Sequence, residues 1–383
     1  MRFEFATASR ILFGAGTCAE IPALATSLGG HAFVVTDSRE RSATLLDRLP
    51  AQGVSTVIFL VRTEPALDQI LLALQNYNES GCDLVIGFGG GSTLDTGKAV
   101  AALAANPGDP LDYLEIVGAG RLFEKPSKPF IAIPTTAGTG SEVTRNAVIT
   151  IPEKHIKVSL RSPYMLPSIA VIDPELTNSL PPEITASTGL DALTQVLEPF
   201  VCNTPTPLTD ALCRDGITRA GRSLLKAYQN GRDAAAREDM SLVSLYGGMA
   251  LANARLGAVH GIASPLGGMY PASHGAICAR LLPLVMEVNL QALRSRQPDS
   301  PALERYEEVA RLLTGNPSAR AEDGIKHLRK LCDEMSIRPL REFGLKVEDF
   351  PALVLQSQKA SSMKGNPISL TDQEIVNILN GAL

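Results

Sequence analysis

Paired cysteines are missing from this chain of 383 residues. Cys18, Cys82, Cys202, Cys213, Cys278 and Cys332 stand far apart with no C-x-x-C pair, so neither a zinc-thiolate site nor a disulfide framework is suggested, and reducing, cytoplasmic surroundings are expected. A basic excess is missing too. The 35 Lys and Arg against 40 Asp and Glu leave a net charge of -5, with the cations scattered, which offers no footprint for a nucleic-acid backbone. No apolar run reaches membrane-spanning length without a charge or proline, and Met1-Arg2-Phe3-Glu4-Phe5 lacks the apolar core of a signal peptide. The expectation is a cytoplasmic protein with no membrane and no nucleic acid among its partners. Internal repeats and low-complexity segments are also absent. What remains is ordinary globular material, 45% hydrophobic and 20% charged, long enough for two domains and a large core.

The pattern changes near residue 181. Before it, short β-rich runs alternate with helical periodicity: Phe33-Val34-Val35, Val57-Ile58-Phe59-Leu60, Leu84-Val85-Ile86, Phe130-Ile131-Ala132-Ile133 and Ile169-Ala170-Val171-Ile172 read as buried strands. Leu67-Ile70-Leu71-Leu74 and Ala99-Val100-Leu103 lie between them as apolar helix faces. This alternation predicts an α/β domain over residues 1–181, a parallel sheet flanked by helices. After Pro181-Pro182 the strand signals fade, and faces such as Leu303-Tyr306-Ala310-Leu313 and Ile325-Leu328-Cys332-Met335 predict an all-helical domain over residues 182–383.

Two glycine-rich segments compete for a dinucleotide. Gly14-Ala15-Gly16-Thr17-Cys18-Ala19 fits G-x-G-x-x-A, with Asp37 ending the next strand where a ribose-binding acid belongs, but the simpler reading is a turn closing an N-terminal hairpin from Phe3 to Phe13. Gly87-Phe88-Gly89-Gly90-Gly91-Ser92 follows a strand and leads into a helical pattern, so its backbone can approach a pyrophosphate that the helix N-terminus then receives. A P-loop is excluded, because Ser92 stands where its first glycine belongs and Ala99 follows Lys98. Pro134-Thr135-Thr136-Ala137-Gly138-Thr139-Gly140-Ser141-Glu142-Val143-Thr144, after another strand, offers small hydroxyls suited to ribose and phosphate. Asp191, His260 and His274 can hold a metal. A phosphate cradle and a Lewis acid together point to alcohol oxidation by hydride transfer.

Gly89 to Gly97, Ile133 to Asn146, Val171-Ile172-Asp173-Pro174-Glu175-Leu176, Thr188-Gly189-Leu190-Asp191-Ala192-Leu193-Thr194 and Leu256 to His260 through His274-Gly275 resemble, in the same order, the iron-containing (group III) alcohol dehydrogenases. The resemblance runs over nearly the whole chain and implies a dehydroquinate synthase-like architecture. It implies the active site in the cleft between an α/β domain that binds NAD and a helical domain that binds one divalent ion, Fe2+ or Zn2+. By position, Gly90, Gly91 and Ser92 receive the pyrophosphate, Thr135 and Thr136 line the nucleotide, and Asn146 and Lys157 add cofactor contacts. Asp37 faces the adenosine ribose, which favours NAD over NADP. Asp191, His260 and His274 fall on metal-ligand positions. The resemblance also implies a small alcohol or aldehyde as substrate, and a homodimer or higher homo-oligomer to which the Phe3 to Phe13 hairpin would lend a strand edge.

Two positions depart from the family. Gln195 stands where an imidazole usually ligates. Either it ligates through its amide oxygen, or it stands back and leaves an Asp/His/His set like that of the zinc-holding glycerol dehydrogenases. The change weakens the case for iron. Ser264 replaces a second histidine four residues beyond His260, and a serine is no comparable general base at neutral pH. Asn253 and Arg255 are further polar residues of that region. Three other readings stand beside this one: a metal-independent oxo-acid reductase like the maleylacetate reductases, a zinc-dependent lyase of the dehydroquinate synthase type, which shares the architecture, and a non-catalytic NAD-binding protein, suggested by Gln195 and Ser264.

Overall fold

The computed structural model describes residues 2–115, 117–154 and 156–383. They fall into two compact units. One comprises Thr7–Thr136 and Gly140–Thr177; the other comprises Asn178–Leu383 with residues 2–6 and Ala137–Thr139.

The first unit is built on β1 (Arg10–Phe13), β2 (His31–Thr36), β3 (Ser55–Leu60), β4 (Leu84–Gly89), β5 (Phe130–Pro134), β6 (Asn146–Ile151), β7 (Ile156–Arg161) and β8 (Ile169–Ile172). Six of them form a sheet in the order β1-β8-β5-β4-β2-β3 with every pairing parallel. Helices α1 (Ile21–Thr26) and α2 (Ala43–Ala51) cover one face, where Ile21, Leu45 and Leu49 pack with Val34, Ile86 and Ile133. The other face carries α3 (Leu67–Ser80) and α4 (Gly91–Ala105), where Ala73, Tyr77, Leu94 and Val100 meet Phe33, Val35, Val85 and Ala132. Covering both faces is why these strands read as continuous apolar runs instead of alternating ones. The chain leaves β2 toward β3 on one side and β4 toward β5 on the other, so the carboxyl ends of β2 and β4 flank the topological switch point, where open α/β sheets bind ligands.

The expected N-terminal hairpin is not formed. Residues 2–8 carry no strand, and β1 instead pairs in parallel with β8, Arg10 opposite Ile169 through Phe13 opposite Ile172. Gly14 and Gly16, with φ of 142° and 77°, turn the chain from this edge strand into α1. The β6–β7 hairpin forms a separate antiparallel pair whose Ala147, Ile149, Val158 and Leu160 are buried against Ile70, Leu103 and Tyr113.

The second unit consists of α5 (Pro182–Val201), α6 (Pro207–Gln229), α7 (Ala234–Asn253), α8 (Ala258–Met269), α9 (His274–Arg296), α10 (Pro301–Thr314), α11 (Ala321–Glu334), α12 (Phe350–Lys359) and α13 (Asp372–Ala382). Pro182 begins α5 at a position where its missing N–H costs nothing. Gly189 lets α6 press on α5, since a Cβ there would lie 2.3 Å from Leu224 Cδ1. By length and composition α9 could cross a membrane, but 67% of its apolar window is buried inside this unit. α5 and α9 thus form its interior, and both carry residues of the site below.

Candidate functional site

At the switch point β4 ends on Gly89, and α4 begins at Gly91 with no side-chain cap. The first-turn N–H groups therefore face off the sheet edge with the positive end of the helix behind them, an arrangement that receives anions. Gly89 is required by the turn itself, because a Cβ would lie 2.5 Å from Thr93 Oγ1. At Gly90 a Cβ would make only ordinary contact, 3.5 Å from the Thr136 methyl, so that space is open. Thr135 N donates to Gly89 O at 2.9 Å and ties the β5 loop to this turn. Thr135 Oγ1 is buried and has no hydrogen-bond partner. Just past β2, Arg41 Nη2 donates to Asp37 Oδ2 at 2.6 Å, while Asp37 Oδ1 is buried and accepts nothing. Orphaned acceptors on both sides of an uncapped helix fit a ribose and a pyrophosphate.

The other glycine segment differs. Beyond Gly16 the N–H of Cys18 already donates to Asp173 Oδ2 at 3.2 Å, so a carboxylate of the protein occupies the place an anion would take. Asn146 opens β6 and gives its carbonyl to Lys98 Nζ at 2.7 Å. Lys157 Nζ lies 2.5 Å from Glu64 Oε2. The side chains of Asn146 and Lys157 share the hairpin face opposite its core, at opposite ends of the ladder.

Beneath this loop is a cluster the sequence did not single out. Lys98, almost wholly buried on α4, donates at 2.9 Å to both Ser141 Oγ and Thr144 Oγ1, and Ser141 Oγ donates to Asp95 Oδ1 at 2.5 Å. Burial draws the Lys98 ammonium down to about 8 against the opposing charges of Asp95 and Glu142. Burial likewise pushes Glu142 up to about 7. The cluster fastens the β5–β6 loop to α4.

In the helical unit, α5 presents Asp191, Gln195 and Glu198 at i, i+4 and i+7, on one face. Asp191 Oδ1 is buried and accepts no hydrogen bond. His260 Nε2 on α8 stands 3.5 Å from it, and His274 Nε2, at the start of α9, stands 3.9 Å away. Cys278, one turn after His274, places its Sγ 3.6 Å from His274 Nε2. Ligand atoms of Asp191, His260, His274 and Cys278 all lie within 4.8 Å of one another. The two Asp191–imidazole separations are long for N–H···O hydrogen bonds, the sulfur–imidazole pair is a hydrogen bond of ordinary length for sulfur, and all of them suit donors converging on a common ion. Gln195 Oε1 is also buried without a partner, and Gly247 lets α7 close over it, since a Cβ there would lie 2.9 Å from Gln195 Cβ. The donor set fits a divalent cation.

Glu198 supports this group. Its Oε1 accepts the Val259 N–H at 2.7 Å and its Oε2 takes the His260 Nδ1 proton at 2.6 Å, which turns Nε2 toward Asp191. Gly257 makes room, because a Cβ would lie 2.9 Å from Glu198 Oε1. Burial pulls the His260 imidazole down, but the nearby Asp191 carboxylate, the hydrogen bond to Glu198 and the charges of both push it up to about 10. Burial raises the Asp191 carboxyl, and the neighbouring His274 and His260 more than offset it, leaving it below its ordinary value. The carboxylates make this pocket favourable to positive charge. Only the His274 side chain, 35% exposed, opens the group outward.

The structure brings together Asp191, Gln195 through its shared helix face, His260 and His274. Ser264 follows His260 by one turn on α8, half-buried. Asn253 is spent on the chain itself: it accepts from Ala6 N at 2.6 Å and donates to Ala6 O at 2.8 Å. Arg255 is exposed. Cys278 and Glu198 were missed. Their signals were present as His274-x-x-x-Cys278 and as the α5 stripe, but neither is a paired-cysteine or histidine motif.

The chain matches the family model for iron-containing alcohol dehydrogenase over residues 8–174 and that for the C-terminal part of the Fe-containing alcohol dehydrogenase family over residues 185–383. It is 37% identical over 357 residues to alcohol dehydrogenase 4 of Saccharomyces cerevisiae, covering 92% of this chain and 90% of that one. The NAD-dependent methanol dehydrogenase of Bacillus methanolicus is 33% identical, with 97% of each chain covered. Among solved structures, a 1,3-propanediol oxidoreductase superimposes with a TM-score of 0.92 at 32% identity over 100% of both chains.

Proposed function

The chain belongs to the iron-containing alcohol dehydrogenase family, and from that premise we propose that it is an NAD-dependent, metal-assisted oxidoreductase interconverting a small alcohol and its aldehyde or ketone. The observation that carries the metal part is Asp191 Oδ1, buried and without a hydrogen bond, facing the Nε2 atoms of His260 and His274. When bound there, a divalent ion supplies Lewis acidity that lowers the proton affinity of an alcohol oxygen, or polarises a carbonyl in the reverse direction.

The residues of the chain do the rest. Asp191, His260 and His274 hold the ion, Gln195 lies beside them one turn along α5, and Glu198 fixes the His260 tautomer. Gly90, Gly91 and Ser92 offer the α4 N-terminus to the pyrophosphate. Asp37 Oδ1 accepts from the adenosine 2'-hydroxyl and repels a 2'-phosphate. Thr135 and Thr136 line the nucleotide beside Gly90; Asn146 and Lys157 add the outer contacts. Ser264, one turn after His260 on α8, offers a hydroxyl for hydrogen bonding and not a base. The NAD-dependent methanol dehydrogenase and the 1,3-propanediol oxidoreductase support NAD as cofactor and small alcohols as substrates.

The test is NADH formation from NAD across a panel of primary alcohols, diols and hydroxy acids, with the reverse reaction on the matching carbonyls. Turnover with neutral alcohols is expected. NAD binding with no hydride transfer to any member would leave the non-catalytic reading.

A further inference from the structure

We propose that Cys278 supplies a thiolate as the fourth protein donor of this metal site, and that it turns the site's preference from ferrous iron toward zinc and similar borderline-soft ions. The inference rests on the metal reading above and specifies its ligand set. Cys278 is wholly buried one turn after His274 on α9, so the two side chains project on the same face, and Sγ lies 3.6 Å from His274 Nε2. At donor–ion distances of about 2.0–2.3 Å, atoms sharing a tetrahedral zinc ion lie about 3.3–3.8 Å apart. Asp191 Oδ1 to His260 Nε2 at 3.5 Å and Cys278 Sγ to His274 Nε2 at 3.6 Å fall in that range, Asp191 Oδ1 to His274 Nε2 at 3.9 Å lies just above it, and all four donors lie within 4.8 Å of one another. An independent sign of a cation site is Asp191 Oδ1 itself, deep in the protein and without a hydrogen bond.

The chemistry follows from the donors. A carboxylate, two imidazoles and one thiolate are softer together than a carboxylate with three imidazoles, and thiolate favours zinc over ferrous iron. Binding forms one metal–sulfur bond and releases the thiol proton to solvent, with no oxidant required. Gln195, a neutral amide one turn from Asp191, is then left as an acceptor at the edge of the site. The exposed His274 side remains for the substrate.

Cobalt(II) titration of the metal-stripped full-length protein tests this without relying on turnover. A thiolate-to-cobalt charge-transfer band in the near ultraviolet is expected beside the visible d–d bands. Cys278→Ser is expected to abolish the charge-transfer band, keep the d–d bands and weaken zinc binding about a hundredfold, whereas Cys213→Ser changes neither. X-ray absorption of the unsubstituted zinc protein, which needs no variant to fold, is expected to show one sulfur at about 2.3 Å among nitrogen and oxygen donors. Tight cobalt binding without a charge-transfer band, or a zinc shell without sulfur, overturns the assignment of Cys278 and leaves the proposed function standing. No tight binding of either metal overturns both.

Discussion

Glu198 holds two things with one carboxylate: its Oε2 receives the His260 Nδ1 proton at 2.6 Å, and its Oε1 caps the first turn of α8 through Val259 N at 2.7 Å. A residue 62 positions before the imidazole in sequence thereby sets both the imidazole's tautomer and the start of its helix. Glu198→Gln keeps a cap oxygen but removes the charge behind His260, and is expected to weaken zinc binding about tenfold or more with little loss of stability. Glu198→Ala also uncaps α8 and orphans Nδ1, adding a cost of about 1–3 kcal/mol in unfolding free energy. Chelator competition and urea denaturation read the two effects separately. Unchanged metal affinity in the Gln variant would remove Glu198 from the site.

In the proposed function the Asp37–Arg41 pair governs cofactor choice. With Asp37 present, Arg41 is tied at 2.6 Å and one carboxylate oxygen remains for the ribose. Asp37→Gly removes that acceptor and releases a guanidinium toward a 2'-phosphate. The kcat/KM ratio for NAD over NADP is expected to fall by about one to two powers of ten, equivalent to roughly 1.5–3 kcal/mol. A parent enzyme that already prefers NADP would sink the assignment.

Gly90 and Gly16 separate pyrophosphate binding from folding. Gly90 has an ordinary φ of -75° and room for a methyl group, so Gly90→Ala is expected to fold normally yet lose most NAD affinity, because the methyl fills the space before α4. At Gly16 the φ of 77° is strained for any other residue, with nothing within 4 Å of an added Cβ. Gly16→Ala should cost about 1–2 kcal/mol of stability and leave NAD binding intact. Calorimetric titration with parallel thermal melts checks the pair; the opposite pattern moves the cofactor to the β1 turn.

Glu142 gives the first unit a pH-dependent stability. Burial lifts its carboxyl from 4.5 to about 7, against its own backbone N–H and Lys98. The folded state therefore binds a proton more tightly than the unfolded one. That contribution is complete below about pH 4.5 and is lost as pH rises through 7. Glu142→Gln should leave stability near pH 4 unchanged and raise it near pH 8 by about 1–3 kcal/mol. Chemical denaturation at both values decides; the same change at each would show that Glu142 is not protonated in the folded protein.

The sheet was legible because buried parallel strands announce themselves as apolar runs: Leu84-Val85-Ile86 and Phe130-Ile131-Ala132-Ile133 lie within β4 and β5. Residues 3–13 misled because a short apolar run beside glycines suits a hairpin as well as a parallel edge strand, and only β8, some 160 residues away, chooses between them. Asp191 and Gln195 were placed together by the family resemblance, and the structure sets them one turn apart on α5. Glu198 and Cys278 were not recognised, since their roles depend on α8 and α9 packing against α5. Lys98 escaped for a related reason: its partners arrive from a loop beyond β5.

In the proposed function, hydride transfer requires an ion held by Asp191, His260 and His274. The most direct test of that requirement is turnover of the protein after exhaustive chelation, then after return of one equivalent of zinc or ferrous iron, beside Asp191→Ala and His260→Ala treated identically. Loss of activity on chelation, recovery with one equivalent in the parent, and neither bound metal nor turnover in either variant are expected. Full NAD-linked turnover in the chelated parent and in both alanine variants would contradict that requirement and favour a metal-independent oxo-acid reductase.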